Sequence, residues 1–521
     1  MKLKTGLIFV LSLLLICFTL VSCKKEEEPP AEDGGDDYTG SIAPEDGSGS
    51  TGGTEPETPV DEGDPNATYE IFTADDLKTK LKMKGTYVLK ANIDLGGAEW
   101  TPVGTAKHPF AGTFDGGAFT VSNFKITVAP TVSEGDVSLA FKYAYSGFFG
   151  VTENATVKDV TFDAVTINTV LTADNVFLYA GTVAGYSVNT SFSNITVTNS
   201  SLTSQSKEYI TCVGGLVGYM QKGSLTKCNL NVTVSAKESL ADATAGGLVG
   251  QTSETEITAC SSNGAVSSIA KYGKSYAGGL VGLCSSSKIS KCVSASTVHA
   301  TVSSSSAQTG KKGSASAGGF AAIVTASSFN KRTEISNSYT ADTCSVTAVG
   351  NKNAAYAGGF AASSEYGIYK HCYSRSPIKV ESNGDAAYAA GLIAYLYNQE
   401  DSKNPETKPY PYDTRIEGCF YVGSITVRTT TNAYFLGTLT YCDLPVENEE
   451  PIVSGGYHQG LNFYINSDTP DNSNAKINKN GSEITSAVYS NMAILKENYG
   501  FSADVWEIKS GESFPTLKPV V

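Results

Sequence analysis

Several ingredients of common active sites are missing from this chain. Only four of its 521 residues are histidine (His108, His299, His371, His458), they lie far apart, and Cys-x-x-Cys spacing occurs nowhere, so a zinc centre has little support. Calcium-binding repeats of the Gly-Gly-x-Gly-x-Asp kind are absent as well. Positive charge is short: 38 Lys and Arg stand against 52 Asp and Glu, a net of −14. The deficit is local, because residues 24–66 hold fourteen acids against two lysines and residues 67–521 keep a net of only −4. Without a basic stripe to meet phosphates, nucleic acid is not an expected partner. No cofactor is expected either. The one long apolar run, Leu7 to Leu20, is too short for a comfortable membrane span, and the repeating apolar residues elsewhere do not follow helical spacing.

What the chain has is glycine, in a recurring phrase. Gly214-Gly215-Leu216-Val217-Gly218, Gly246-Gly247-Leu248-Val249-Gly250 and Gly278-Gly279-Leu280-Val281-Gly282 follow one another at intervals of 32 residues. Worn copies begin at Gly318, Gly358 and Ala390, with Ala322, Ala362 and Ala394 in place of the last glycine. Earlier and later members begin at Gly147, Gly181 and Gly437, nine in all. A fixed period of this length, rich in β-branched residues, predicts a solenoid in which each unit buries a face against the next.

Thirteen residues after the second position of the phrase, counted from Gly147 in the first copy, comes a small buried-type residue: Val160, Ile195, Cys228, Cys260, Cys292 and Cys372. Ser338 and Cys419 hold the same slot after longer loops. Since Val and Ile share the slot with Cys, it reads as selecting a small core side chain, and its cysteines as unpaired thiols. Stacked Cβ vectors run parallel and not toward one another, which disfavours a disulfide ladder. Cys212, Cys284, Cys344 and Cys442 fall off the ladder and receive no redox assignment.

The amino terminus sets the location. Lys2 and Lys4 precede the apolar run, which ends in Leu20-Val21-Ser22-Cys23. This tetrad resembles the lipobox of bacterial lipoproteins, which implies cleavage before Cys23, acylation of its sulfur and a membrane partner through that lipid. Lys24-Lys25-Glu26-Glu27-Glu28 is similar to the acidic tether of surface-exported Bacteroidetes-type lipoproteins, implying the cell-surface side of the outer membrane. The Gly-, Pro-, Ser- and acid-rich stretch to Asn66 lacks the apolar residues for a core.

From Tyr69 the pattern changes. Thr73 is a helix cap candidate, with Asp75 and Asp76 favouring the first turn, and short strands follow. Trp100-Thr101-Pro102-Val103-Gly104, Pro109-Phe110-Ala111-Gly112-Thr113-Phe114-Asp115-Gly116, the Gly-Gly-Leu-Val-Gly phrases and the ending Val505-Trp506-Glu507-Ile508 occur in an order that resembles the GLUG-motif family of bacterial cell-surface proteins. The resemblance spans residue 69 to the C-terminus. It implies an all-β, right-handed parallel β-helix of about nine turns and adhesin-like roles, and carries no catalytic residue set. The expected segments are a lipoprotein signal peptide (1–22), a disordered acidic linker (23–66), an N-terminal cap (67–136), the repeats (137–445) and a C-terminal cap region (446–521).

Acids inside the repeats are sparse and fall at unrelated phases: Glu208, Glu238, Asp242, Glu256, Glu334, Asp342 and Glu365. A glycosidase would want a carboxylate pair across a groove, so no enzyme is expected. Denser acids at Glu400, Asp401 and Glu406, and at Glu447, Glu449 and Glu450, read as exposed insertions. Tyrosine is the better lead. Tyr276, Tyr356, Tyr388 and Tyr434 each precede a glycine phrase by two or three residues and are the candidate ligand-binding aromatics. Facing out, they would stack on a glycan or meet a surface protein of host or bacterium; facing in, they would fill the core. The expected function is a surface-anchored adhesive or ligand-binding module. A polysaccharide-binding or polysaccharide-degrading protein and a ligand-free spacer or assembly subunit are the alternatives.

Overall fold

The computed structural model describes residues 60–128, 132–134, 142–238, 240–304, 313–328, 330–396, 414–429, 434–437, 453–458, 463–467, 476–478, 482–483 and 486–519. The expected signal peptide, Cys23 and most of the linker lie outside these residues, as do Cys442 and both acid-dense insertions.

One repeat shows how the strands are laid down. Val217–Gln221 is followed by Ser224–Thr226, Asn229–Glu238 and Ala243–Gly246, after which the phrase at Gly246 leads into Val249–Ser253. Each strand pairs in parallel with its counterpart one repeat away: Val217 stands opposite Val249, Leu225 opposite Ile257, Val234 opposite Val266 and Ala245 opposite Ala277. The repeats thereby extend three sheets, of 26, 11 and 8 strands, with a separate antiparallel pair formed by Trp506–Glu507 and Thr516–Leu517.

These sheets correct the expected right-handed β-helix of about nine turns between two caps. The 26-stranded sheet is branched: Ser191–Ser206 pairs with both Thr156–Asp163 and Thr166–Val170 on one side, and with Ser224–Thr226 and Asn229–Glu238 on the other. It is therefore not a uniform ladder of one strand per phrase. The segment read as an N-terminal cap is continuous with it, since Thr68–Ile71 pairs with Thr86–Leu89, that with Thr113–Ile126, and that with Thr156–Asp163. The reason is geometric. The glycine phrase marks one corner per repeat, the junction of the 11- and 8-stranded sheets, and says nothing about how the remaining strands branch. The helix start at Thr73 is found as expected, with a capping box closed by Asp76 ahead of Ala74–Lys80.

The core is built of columns. Leu216, Leu248, Leu280, Phe320, Phe360 and Leu392, directly after the paired glycines, are at most 3% exposed, and Phe320 stacks on Phe360 at 4.5 Å. Each such side chain contributes about 1.5–3 kcal/mol by leaving water. The glycines beside them are not left-handed; none of Gly214, Gly215, Gly246, Gly247, Gly278 or Gly279 has positive φ. They are required by crowding instead. A Cβ on Gly279 would press on the carbonyl oxygen of Gly319 and on Ser294 Oγ.

The slot does more than the sequence reading allowed. The residue before it is left-handed in repeat after repeat, as at Lys227, Ala259, Lys291, Asn337 and His371. The slot N–H meets the next slot's side chain: Cys228 donates to Cys260 Sγ (3.4 Å), Cys260 to Cys292 Sγ (3.4 Å), Cys292 to Ser338 Oγ (3.1 Å) and Cys372 to Cys419 Sγ (3.3 Å). Here the site takes a small side chain that can accept a hydrogen bond, so Ser and Cys interchange. All eight described cysteines are buried and unpaired.

The C-terminal segment sits on a flank. Tyr339, Tyr373 and Phe420 are in register on the large sheet, and Tyr489, Leu495, Phe501 and Trp506 pack against that aromatic column. Tyr373 Oη donates to Pro515 O (2.5 Å), Trp506 Nε1 to Asn337 Oδ1 (3.1 Å), and the Arg375 guanidinium lies 3.9 Å from the Phe514 ring centroid. The described part of the expected C-terminal cap thus packs laterally across several repeats.

Candidate ligand-binding corner

The last position of each glycine phrase breaks strand pairing. In the 8-stranded sheet Ala184 pairs with Val217 and Tyr186 with Tyr219, but Gly185 and Gly218 are skipped, and the same gap recurs in later repeats. The irregularity shifts the side-chain alternation by one. Val217 and Met220 both join the main core, while Tyr219 between them belongs to a second cluster with Tyr143, Tyr145, Phe177, Tyr179, Tyr186 and Cys212. That cluster fills the outer, concave side of the corner between the two smaller sheets.

Two columns line this corner. On the 11-stranded sheet the register runs Tyr145, Tyr179, Cys212, Thr244, Tyr276, Ser316, Tyr356, Tyr388. On the 8-stranded sheet it runs Val151, Tyr186, Tyr219, Gln251, Leu283, Ile323, Ser363, Tyr395. Close approach of the sheets explains the last glycine: a Cβ on Gly250 would lie 2.7 Å from Cys212 Sγ, and one on Gly282 would lie 2.6 Å from Thr244 Cγ2.

The corner changes character along its length. In the early repeats it is filled: Tyr145, Tyr179, Tyr186 and Tyr219 are at most 5% exposed, and Tyr179 contacts both Tyr186 (6.0 Å) and Tyr219 (5.6 Å). Burial raises the hydroxyl pKa of Tyr145, Tyr179 and Tyr186, so these phenols stay neutral. In the later repeats Tyr356, Tyr388 and Tyr395 are half-buried. Tyr356 and Tyr388 stack at 4.6 Å and 9°, and Tyr395 meets both edge-on, at 5.8 and 5.3 Å.

The four tyrosines named from the sequence separate on this basis. Tyr276 is in the column but buried at 2% exposure, in the corner and not in the main core. Tyr356 and Tyr388 are in the column and half-exposed. Tyr434 is one place off, in register with Ala387, while Phe435 continues the column from Tyr388. The Tyr434 side chain lies outside the described residues; of the other three, none joins the main core and none is fully exposed. Tyr356 and Tyr388 spend ring faces on each other and present edges and hydroxyls. Sequence reasoning missed the partner column; its signal was the seven-residue spacing across the phrase, as in Tyr179 and Tyr186, Cys212 and Tyr219, Tyr388 and Tyr395.

Several of the described acids have local partners. Asp342 pairs with Arg375 (2.7 Å), Glu334 with Lys370 (4.0 Å), and buried Glu238 accepts from Thr211 Oγ1 (3.3 Å). Among the described residues no three His, Cys, Asp or Glu side chains converge as metal ligands would.

No protein-family profile matches the chain, and no curated protein does. Two solved structures are similar in part. One is a putative immunoglobulin A1 protease from Bacteroides ovatus, at 13% identity over 87% of this chain and 92% of that one, with a TM-score of 0.30. The other is an IgA1 protease, at 14% identity over 75% of this chain and 21% of that one, also with a TM-score of 0.30. Likenesses this distant carry no argument about fold or activity.

Proposed function

We propose that this chain is a lipid-anchored binding module of the bacterial outer surface, acting by adhesion and not by catalysis. The observation that carries the reading is the half-exposed cluster of Tyr356, Tyr388 and Tyr395 on the later repeats. Tyrosine with serine is the composition that serves binding surfaces well: large amphipathic contacts with few rotatable bonds. Here the rings are already held by stacking, so little side-chain freedom remains to be lost on association. The lipobox-like tetrad at Cys23 and the GLUG-type resemblance support the location.

Protease shaving of intact cells tests the location: the wild-type chain is degraded, and the Cys23→Ala chain is lost from the cell surface. Resistance in intact cells with cleavage after lysis overturns surface display. Adhesion of cells carrying Tyr388→Ala tests the binding surface, and undiminished adhesion removes it. Cleavage of immunoglobulin A1 or of a polysaccharide by the purified chain overturns the non-catalytic reading.

A further inference from the structure

Six buried side-chain oxygens among the described residues have no hydrogen-bond partner, and three of them, Tyr145 Oη, Thr244 Oγ1 and Ser363 Oγ, belong to the two columns of the concave corner. An unmade hydrogen bond in a buried site costs free energy, so such groups call for a partner outside the protein. Ser363 is the one beside the accessible end. It is 2% exposed, stands in register with Tyr395, and Tyr395 in turn packs on Tyr356 and Tyr388.

The chemistry of the corner narrows the partner. From Thr244 to Tyr395 the two columns hold hydroxyls, one amide (Gln251) and apolar groups, and no charged side chain. An anionic or cationic ligand would find no counter-charge on this floor. A peptide strand would need open main-chain N–H and C=O groups; the strands bearing Ser316, Tyr356 and Ser363 are paired on both sides, and among the described residues only Ile393–Leu396, which bears Tyr395, is the last strand of its sheet at this end. The side chains of the corner themselves are of the hydroxyl kind, which can both donate and accept, set among aromatic edges.

Resting on the reading of this rim as the binding surface, we propose that its ligand is a neutral glycan. Pyranose units lie along the corner across Tyr356, Tyr388 and Tyr395, with sugar hydroxyls meeting the phenols, and a side-chain shift of Tyr395 brings one of them to Ser363 Oγ. Successive repeats rise by about 4.8 Å, close to the length of one pyranose, so neighbouring tyrosines meet neighbouring sugars.

The test is calorimetric titration of the purified full chain with neutral hexaoses of glucose, mannose, xylose and N-acetylglucosamine, with polygalacturonate as the acidic control. At least one neutral hexaose is expected to bind saturably. Ser363→Ala is expected to weaken it about five- to tenfold while leaving the thermal midpoint unchanged or higher, because the variant deletes an unsatisfied group. Tyr388→Ala is expected to abolish it. Binding of polygalacturonate alone, or neutral binding untouched by Ser363→Ala and Tyr388→Ala, overturns the inference. If Tyr388→Ala cells lose adhesion while no neutral hexaose binds and periodate treatment of the target leaves wild-type adhesion intact, the glycan falls and the binding module stands. If Tyr388→Ala cells keep full adhesion and no hexaose binds, both fall.

Discussion

Cys260 Sγ accepts the backbone N–H of Cys228 at 3.4 Å and lies 3.4 Å from the Thr258 carbonyl, to which the thiol donates. Ser338 does the same with oxygen, accepting from Cys292 N–H (3.1 Å) and donating to Ser336 O (2.8 Å). The left-handed residue before each slot turns the slot's N–H away from the regular ladder, and the neighbouring side chain completes its bonding.

Exchange at this position separates volume from hydrogen bonding. Cys260→Ser keeps the acceptor and should change unfolding free energy by less than about 1 kcal/mol, whereas Cys260→Val strands the Cys228 N–H and should cost about 1–3 kcal/mol. Denaturant titration of the two variants checks this. Equal losses would mean that the slot only fills space.

Thiol chemistry should be silent in the folded chain. Burial pushes Cys284 and Cys344 up to about 11 and raises Cys292 and Cys372 as well, and burial denies a reagent access to all eight described cysteines. Labelling at pH 8 should leave the eight described cysteines unmodified until denaturant is added, as peptide mapping would show.

Crowding, and not a special backbone angle, should make the second glycine intolerant. In Gly279→Ala the new methyl meets the Gly319 carbonyl and Ser294 Oγ, and the backbone must shift to admit it. A loss of about 1–3 kcal/mol is expected, read from the thermal midpoint. Ala362→Gly, at a position already holding a methyl, should cost less than about 1 kcal/mol through chain entropy.

Acid should loosen the C-terminal flank. His371 is half-buried, its ring faces Phe501 at 6.0 Å and lies close to Gly500, and burial holds its pKa below the ordinary value, with Glu417 opposing and Lys370 reinforcing that shift. The neutral ring is the docked form. Docking is thus undiminished above the ordinary value of about 6.5 and weakens as pH falls through the lowered folded value. Trp506, one of two tryptophans, reports it: in a Trp100→Phe background its emission should shift red on acidification. His371→Asn, which suits the left-handed backbone as Asn337 does, should remove that pH dependence.

The glycine phrase, the slot thirteen residues on and the helix cap at Thr73 were all legible, because each is a local or strictly periodic constraint written into consecutive residues. The concave corner was not. Its two columns face outward only because the backbone slips one place at Gly218 and its counterparts, and a slip of one residue moves a side chain to the other face without altering composition or period. Tyr276 and Tyr388 share a phase in the sequence, yet one is sealed and the other half-open.

By itself the sequence determined the repeat, the small residues at each junction and the concentration of net negative charge in the linker, since these follow from what neighbouring residues can pack or cannot bury. Only the tertiary structure decided that the large sheet branches, that the segment from residue 67 is part of it, and that Trp506 lies against Asn337 across the flank. Those are contacts between residues as much as 169 positions apart, and they depend on where the stacked sheets leave an aromatic face uncovered.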